Sequence, residues 1–140
     1  MSEKIEIVKK WIEKADHDLG TGQLTYLYLP QYRDTIAFHC QQAAEKYLKG
    51  FLLFSDIPFK KQHSLNYLLG LLSQKIEISD KLYDDASELE DFAVEIRYPD
   101  TSVDLSDEEI QQAFKISKQV REFVLSQMNL TIDYTDVKKE

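Results

Sequence analysis

"YRDTIAFHCQQAAEKYLKGFLLF", residues 32–54, is the stretch on which the fold turns. Ile36, Cys40, Ala44, Tyr47 and Phe51 recur at three- and four-residue steps, and Ala37, Ala43, Leu48 and Leu52 fill a second arc beside them. A helix with so wide an apolar arc is covered by neighbours on most sides, which places it at the centre of a helical assembly. One polar row interrupts it. His39, Gln42, Lys46 and Lys49 stand three, four and three apart, so their side chains align along one edge. The helix is expected to begin after Pro30, near Gln31 or Tyr32, and to end at about Phe54.

The segments on either side supply the covering helices. In the first, Ile5, Val8, Ile12, Ala15 and Leu19 share one face, Ser2 is a candidate N-cap, and Gly20 and Gly22 are expected to end the helix. After the "SDIPFKKQH" loop, Ser64 is placed to cap a short third helix carrying Leu65, Leu68, Leu69 and Leu72. A fourth starts near Ser79 or Asp80, turns Leu82, Ala86, Leu89, Ala93 and Ile96 inward, and must stop before Pro99. Ser106 followed by Glu109 is a capping box opening a fifth helix, which runs to Met128 with Ile110, Ala113, Phe114, Ser117, Val120 and Val124 inward. The fold expected is an all-α, up-and-down bundle of four to five helices over residues 1–128. Residues 129–140 form a tail without helical period, placed either to fray or to pack as an extended arm. Ile7, Trp11, Ile116 and Phe123 lie off the main stripes of the terminal helices, and that surplus predicts a homodimer face or a contact with a fifth helix.

At 140 residues the chain can bury one core without disulfides or metal. Cys40 is the single cysteine, so no internal disulfide forms, which suits a reducing, cytoplasmic setting. The first residues carry charges throughout, unlike a signal peptide, and the longest apolar run, Phe51 to Phe54, is far too short to span a membrane. Of the net charge of −8, residues 75–109 carry −10, from thirteen acidic and three basic side chains. Bulk nucleic-acid binding, which rests on neutralising many phosphates, is excluded by that balance. A small anion site is not, because residues 31–74 carry a slight positive excess.

Within the acidic segment, "DFAVEIRYPDTSVDL" (residues 91–105) holds a lone arginine, Arg97. It suits either a phosphate or an ion pair with Glu95 or Asp100, and it also sits where a cation complements a helix C-terminus. Tyr98 beside it either stacks on a base or closes the core. The His39, Gln42, Lys46, Lys49 row reads as a solvated edge or as one wall of a nucleotide groove. His63 reads as a cap on the third helix or as a ligand contact. The three histidines lack metal-ligand spacing, and no glycine-rich phosphate loop or nucleophile elbow is present, so neither a metal nor a cofactor is expected.

Taken in order, "FHCQQAAEKYLKGFLL", "KQHSLNYLL" and "EIRYPD" resemble the HEPN domain family, with a likeness spanning about residues 5–127. The resemblance implies a small helical bundle. Many such proteins are metal-independent ribonucleases in which an arginine is followed four to six residues later by a histidine, and two such motifs face each other across a dimer. Here His17, His39 and His63 all precede Arg97, so the proton-transfer partner is missing at that spacing. Members carrying R-Y-P-D instead are commonly encoded beside a minimal nucleotidyltransferase, in a toxin–antitoxin-like pair, and nucleotide binding has been proposed for the family. The resemblance thus implies a non-catalytic protein that binds a nucleotide, a nucleotidyltransferase partner, or both, through Arg97, Tyr98, His39, Gln42, Lys46, Lys49 and His63. Two alternatives stay open: a ribonuclease that uses His39 or His63 with Arg97, and a structural dimeric adaptor.

Overall fold

The computed structural model describes residues 2–95 and 105–139, and over them the chain is all helix and loop. Five helices follow one another: α1 (Ser2–Tyr28), α2 (Arg33–Phe54), α3 (Leu65–Leu72), α4 (Asp80–Glu95) and α5 (Asp107–Met128). The central position expected of α2 is observed, since each of the other four helices packs against it. Its apolar residues Ile36, Ala37, Cys40, Ala43, Ala44, Tyr47, Leu48 and Leu52 are fully buried. The faces turned inward on α3 and α5 are those read from their periodicity, as are Leu82, Ala86, Leu89 and Ala93 on α4.

The helix ends follow their local chemistry. The Ser64 hydroxyl accepts from the Tyr67 N–H to start α3, and Ser79 does the same for Leu82 at the start of α4. Ser106 and Glu109 form the reciprocal capping box, with bonds of 2.9 and 3.1 Å. At the far end of α5, Asn129 takes the left-handed conformation (φ 55°) that closes many helices.

One boundary differs from expectation. α1 does not end at Gly20 and Gly22 but continues to Tyr28. Two helical glycines cost roughly 1 kcal/mol each relative to alanine, and tertiary packing offsets that cost. A Cβ on Gly22 would lie 3.4 Å from the Phe114 ring and 3.5 Å from the His39 Cβ. The missing side chain therefore lets α1, α2 and α5 approach closely. Gly50 does the same further along, where a Cβ would come within 3.1 Å of the Trp11 Cβ.

Much of the surplus apolar surface is absorbed within the single chain. Ile116 is fully buried, Trp11 meets Phe59 edge-to-face at 6.4 Å, and Phe123 meets Phe51 in the same way at 6.1 Å. Ile7 remains half exposed. Exposed apolar side chains gather instead around the turn between α1 and α2, at Leu24, Tyr28, Leu29 and Tyr32. The tail does not fray: residues 130–139 pack as an arm whose even-numbered side chains Leu130, Ile132, Tyr134 and Asp136 are half-buried while Thr131, Asp133 and Thr135 face out.

A buried polar junction ties these parts together. The Asp16 carboxylate on α1 accepts from the Tyr47 hydroxyl on α2 at 2.5 Å and from both Nε and a terminal nitrogen of Arg121 on α5, at 2.9 and 3.2 Å. Arg121 donates in addition to the Ile132 carbonyl of the arm at 2.8 Å, and its guanidinium lies over the Tyr134 ring. Removing one member of such a set leaves the others buried and unpaired. Asp16→Ala is expected to destabilise the protein by about 3 kcal/mol, and a chemical denaturation midpoint near that of wild type would show the junction to be dispensable. Ser106→Ala removes one cap and is expected to cost about 1 kcal/mol, read from the same titration.

Candidate functional site

Helix α2 presents two adjacent polar rows, not one. Along the first lie His39, Gln42 and Lys46, against α1. Along the second lie Gln41, Glu45 and Lys49, four residues apart and all buried, with 4%, 3% and 7% of their surface exposed. The loop that precedes α3 closes over this second row and brings His63 to it.

Each row is organised by one carboxylate. In the first, Asp18 of α1 bonds His39 Nδ1 through Oδ1 at 3.0 Å and Lys46 Nζ through Oδ2 at 2.5 Å, and Lys46 reaches Gln42 Oε1 at 3.4 Å. Burial pushes the Asp18 carboxyl upward, but the hydrogen bonds from His39 and Lys46 outweigh it and hold the group below its ordinary 3.8. In the second row, Glu45 bonds His63 Nδ1 at 3.0 Å and Lys49 Nζ at 2.9 Å, and the Lys49 ammonium also lies over the Phe59 ring. Two amides join the rows: Gln42 donates to Gln41 Oε1, and Gln41 donates to the His63 carbonyl. Five of the residues singled out from the sequence, His39, Gln42, Lys46, Lys49 and His63, thus share one continuous network. Arg97 and Tyr98 lie outside the described residues.

The organising groups Asp18, Glu45 and Gln41 are not among the residues that sequence reasoning assigns to the site. Asp18 and Lys46 are 28 positions apart, and no periodicity connects them. Glu45 is legible as a helix-stabilising partner for Lys49, but the pair is buried where a solvated one is expected. One signal is available: Gln41 and Glu45 stand seven residues before Leu48 and Leu52, on the same apolar part of the helix circumference, which marks them as buried, and buried charges come paired. Phe38 also escapes the sequence reading. It is 41% exposed and packs edge-on to the His39 ring at 5.5 Å.

The arrangement constrains the chemistry. A carboxylate on Nδ1 sets the neutral imidazole as the Nδ1–H tautomer and leaves Nε2 as an acceptor. Among the described residues, Nε2 of neither His39 nor His63 has a hydrogen-bond partner, and the His63 side chain is 71% exposed. Both lysines are neutralised by their own carboxylates. The edge is therefore a set of held donors and acceptors with balanced charge, flanked by an exposed aromatic ring.

A model of the HEPN domain matches residues 8–128. Two solved structures share the fold over 86% of this chain and 97% of their own. One is a protein from Thermus thermophilus, 26% identical with a TM-score of 0.72, and the other is an archaeal HEPN homologue, 24% identical with a TM-score of 0.69. Among curated proteins none matches the chain. On the extent of the domain match, the chain belongs to the HEPN domain family.

Proposed function

We propose that this is a HEPN protein that binds and does not cleave, receiving a nucleotide along the α2 edge, either free or presented by a minimal nucleotidyltransferase in a two-protein module. The observation that carries the reading is the double cradle, Asp18 holding His39 with Lys46 and Glu45 holding His63 with Lys49. Side chains already immobilised lose little entropy when a ligand arrives. Outward Nε2 acceptors suit the amino groups of a base or the hydroxyls of a sugar, and the Phe38 ring offers a stacking face. Lys46, the more exposed of the two lysines, can exchange its carboxylate for one phosphate oxygen, whereas a nucleic-acid strand meets no unneutralised cluster. A homodimer belongs to the same proposal, with the exposed side chains around Tyr28 and Tyr32 as the surface a second copy would cover.

The carboxylate–imidazole pairs also favour a second reading. An imidazole whose Nδ1 is held by a carboxylate is a competent proton acceptor at Nε2, so His39 or His63 could serve a ribonuclease whose arginine is Arg97.

Calorimetric titration with AMP and ATP, run beside incubation with labelled RNA, separates the two. Under the binding reading at least one nucleotide saturates, Lys46→Met weakens it about tenfold, or ~1.4 kcal/mol, and the RNA stays intact. The binding reading fails if neither nucleotide gives saturable heat and no nucleotidyltransferase co-purifies with the tagged chain. RNA cleavage abolished by His39→Ala or His63→Ala transfers the assignment to the enzyme class. A pH series tests the cradle itself. Because the folded Asp18 carboxyl titrates below its ordinary value, its stabilising contribution is complete above pH 3.8 and is lost as the pH falls through the lower folded value. Asp18→Asn is expected to be less stable than wild type at neutral pH and to converge on it in that acid range. A difference between the two that does not change with pH would show that Asp18 is not held by its charge.

A further inference from the structure

Beyond the α2 edge, a second feature has the form of a binding site. Between α1 and the arm lies a cleft of about 850 Å³, bounded by α1 from Lys9 to Leu24 and by the arm from Thr131 to Thr135. The arm, residues 130–139, lies beyond residue 128, where the family match ends, so this cleft is built partly from chain outside the matched domain.

Three properties of the arm point to one kind of occupant. Its composition is that of a strand, since Thr131, Ile132, Tyr134, Thr135 and Val137 are β-branched or aromatic and burial alternates along it. Among the described residues it nevertheless pairs with no other strand. Among the described residues, the backbone of 130–139 bonds to the rest of the chain at the Ile132 carbonyl, taken by Arg121, and at the Val137 N–H, taken by Gln23, beyond the helix-closing bond of Leu130. In an extended chain, neighbouring residues direct their N–H and C=O groups to opposite edges. With the Ile132 carbonyl turned to Arg121 on α5, Thr131 and Asp133 direct theirs to the other, outer edge, which closes onto α1 at Val137, where the N–H reaches Gln23. The third property is that five consecutive arm residues line the cleft, so it meets the edge of the arm and not one of its faces. An unpaired strand edge is a template for strand addition.

The dimensions and charge of the cleft complete the description. The bounding length of α1 is about 22 Å at 1.5 Å per residue, which matches roughly seven residues of extended peptide. Gly20, where a Cβ would lie 3.5 Å from the Tyr134 hydroxyl, lets the arm lie close against α1 at one end of the cleft. Of the surrounding charges, Asp16 is taken up by Arg121, leaving Glu13, which His17 faces at 3.9 Å, and Asp133 against Lys9. We propose that the cleft is a peptide-binding groove, in which an extended partner segment carrying lysine or arginine pairs its backbone with the outer edge of residues 131–135. The groove is independent of the nucleotide reading and stands or falls without it.

The test uses the whole chain with two acetylated and amidated hexapeptides, KVKVTV and EVEVTV, followed by fluorescence anisotropy and amide NMR. The basic peptide is expected to saturate and to bind at least tenfold more tightly than the acidic one, shifting the amides of Thr131, Asp133 and Thr135. Asp133→Pro removes an N–H that has no partner among the described residues and is expected to weaken binding at least tenfold. Glu13→Lys, on a rigid exposed face of α1, is expected to do the same without touching the arm, so it decides the matter if the proline variant loosens the fold. Lys46→Met leaves peptide binding unchanged, and a loss there would tie the peptide to the α2 edge and overturn the groove. The proposal is also overturned if neither peptide saturates, if both bind equally, or if binding survives both groove variants. Sedimentation showing a dimer that Asp133→Pro dissolves would make the occupant a second copy of this chain and remove the partner segment.

Discussion

The Asp16 carboxylate is the group on which the arrangement of this bundle depends. It stands where α1, α2, α5 and the arm meet, and it answers a donor from α2 and a donor pair from α5 at once. Burial raises the titration of the Tyr47 hydroxyl, and Asp16 raises it further, so the phenol stays protonated as a donor. For Arg121, burial works against the charge and Asp16 more than restores it. A buried ion pair adds little net stability over an apolar replacement. It does impose a register, because apolar ridges can slip by one turn at modest cost whereas a bidentate pair and a phenol cannot follow the slip.

Asp18 extends the same logic to the candidate site on the α2 edge. Residues two apart on a helix diverge by about 200°, so Asp16 and Asp18 flank the stripe of Val8, Ile12, Ala15 and Leu19 on opposite sides. Each finds its partner on consecutive residues of α2, Tyr47 and Lys46. The two carboxylates therefore fix the rotation of α1 about its own axis, and the apolar stripe between them is driven into α2. The fold and the His39–Lys46 cradle share one mechanical cause: the rotation that buries Ile12 and Leu19 is the one that brings Asp18 to Lys46.

What is legible in the sequence divides along the range of the forces involved. Local rules locate the capping box at Ser106, the Ser64 cap and the buried faces of α3 and α5, because each depends on residues within one or two turns. The extent of α1 is not legible, since Gly20 and Gly22 read as breakers until the close approach of Phe114 and His39 is known. The site is half legible. The basic and amide residues of α2 stand out by spacing, but the acids that hold them come from another helix or from a position that reads as surface. The composition of the arm suits fraying and packing alike. Its alternating burial becomes meaningful beside the groove of α1 and α5, where Gln23 accepts from both Tyr134 and Val137 and donates to Asp136.

Charge placement explains how one small bundle can tell a nucleotide from a strand under the proposed reading. The cations of the α2 edge are neutralised within the network, and the acidic excess of the chain is concentrated in residues 75–109. A polyanion gains little at the edge and is repelled by α4, whose Asp80, Asp84, Glu88 and Asp91 side chains lie at steps of three and four along its outer side. A single nucleotide has fewer phosphates to satisfy and more hydrogen-bonding groups to offer. For it, displacing one carboxylate from one lysine is a local exchange between oxygens, with the remaining donors and the imidazole rings already held in place. Long-range repulsion thus sets the size of what approaches, and short-range hydrogen bonding sets what stays.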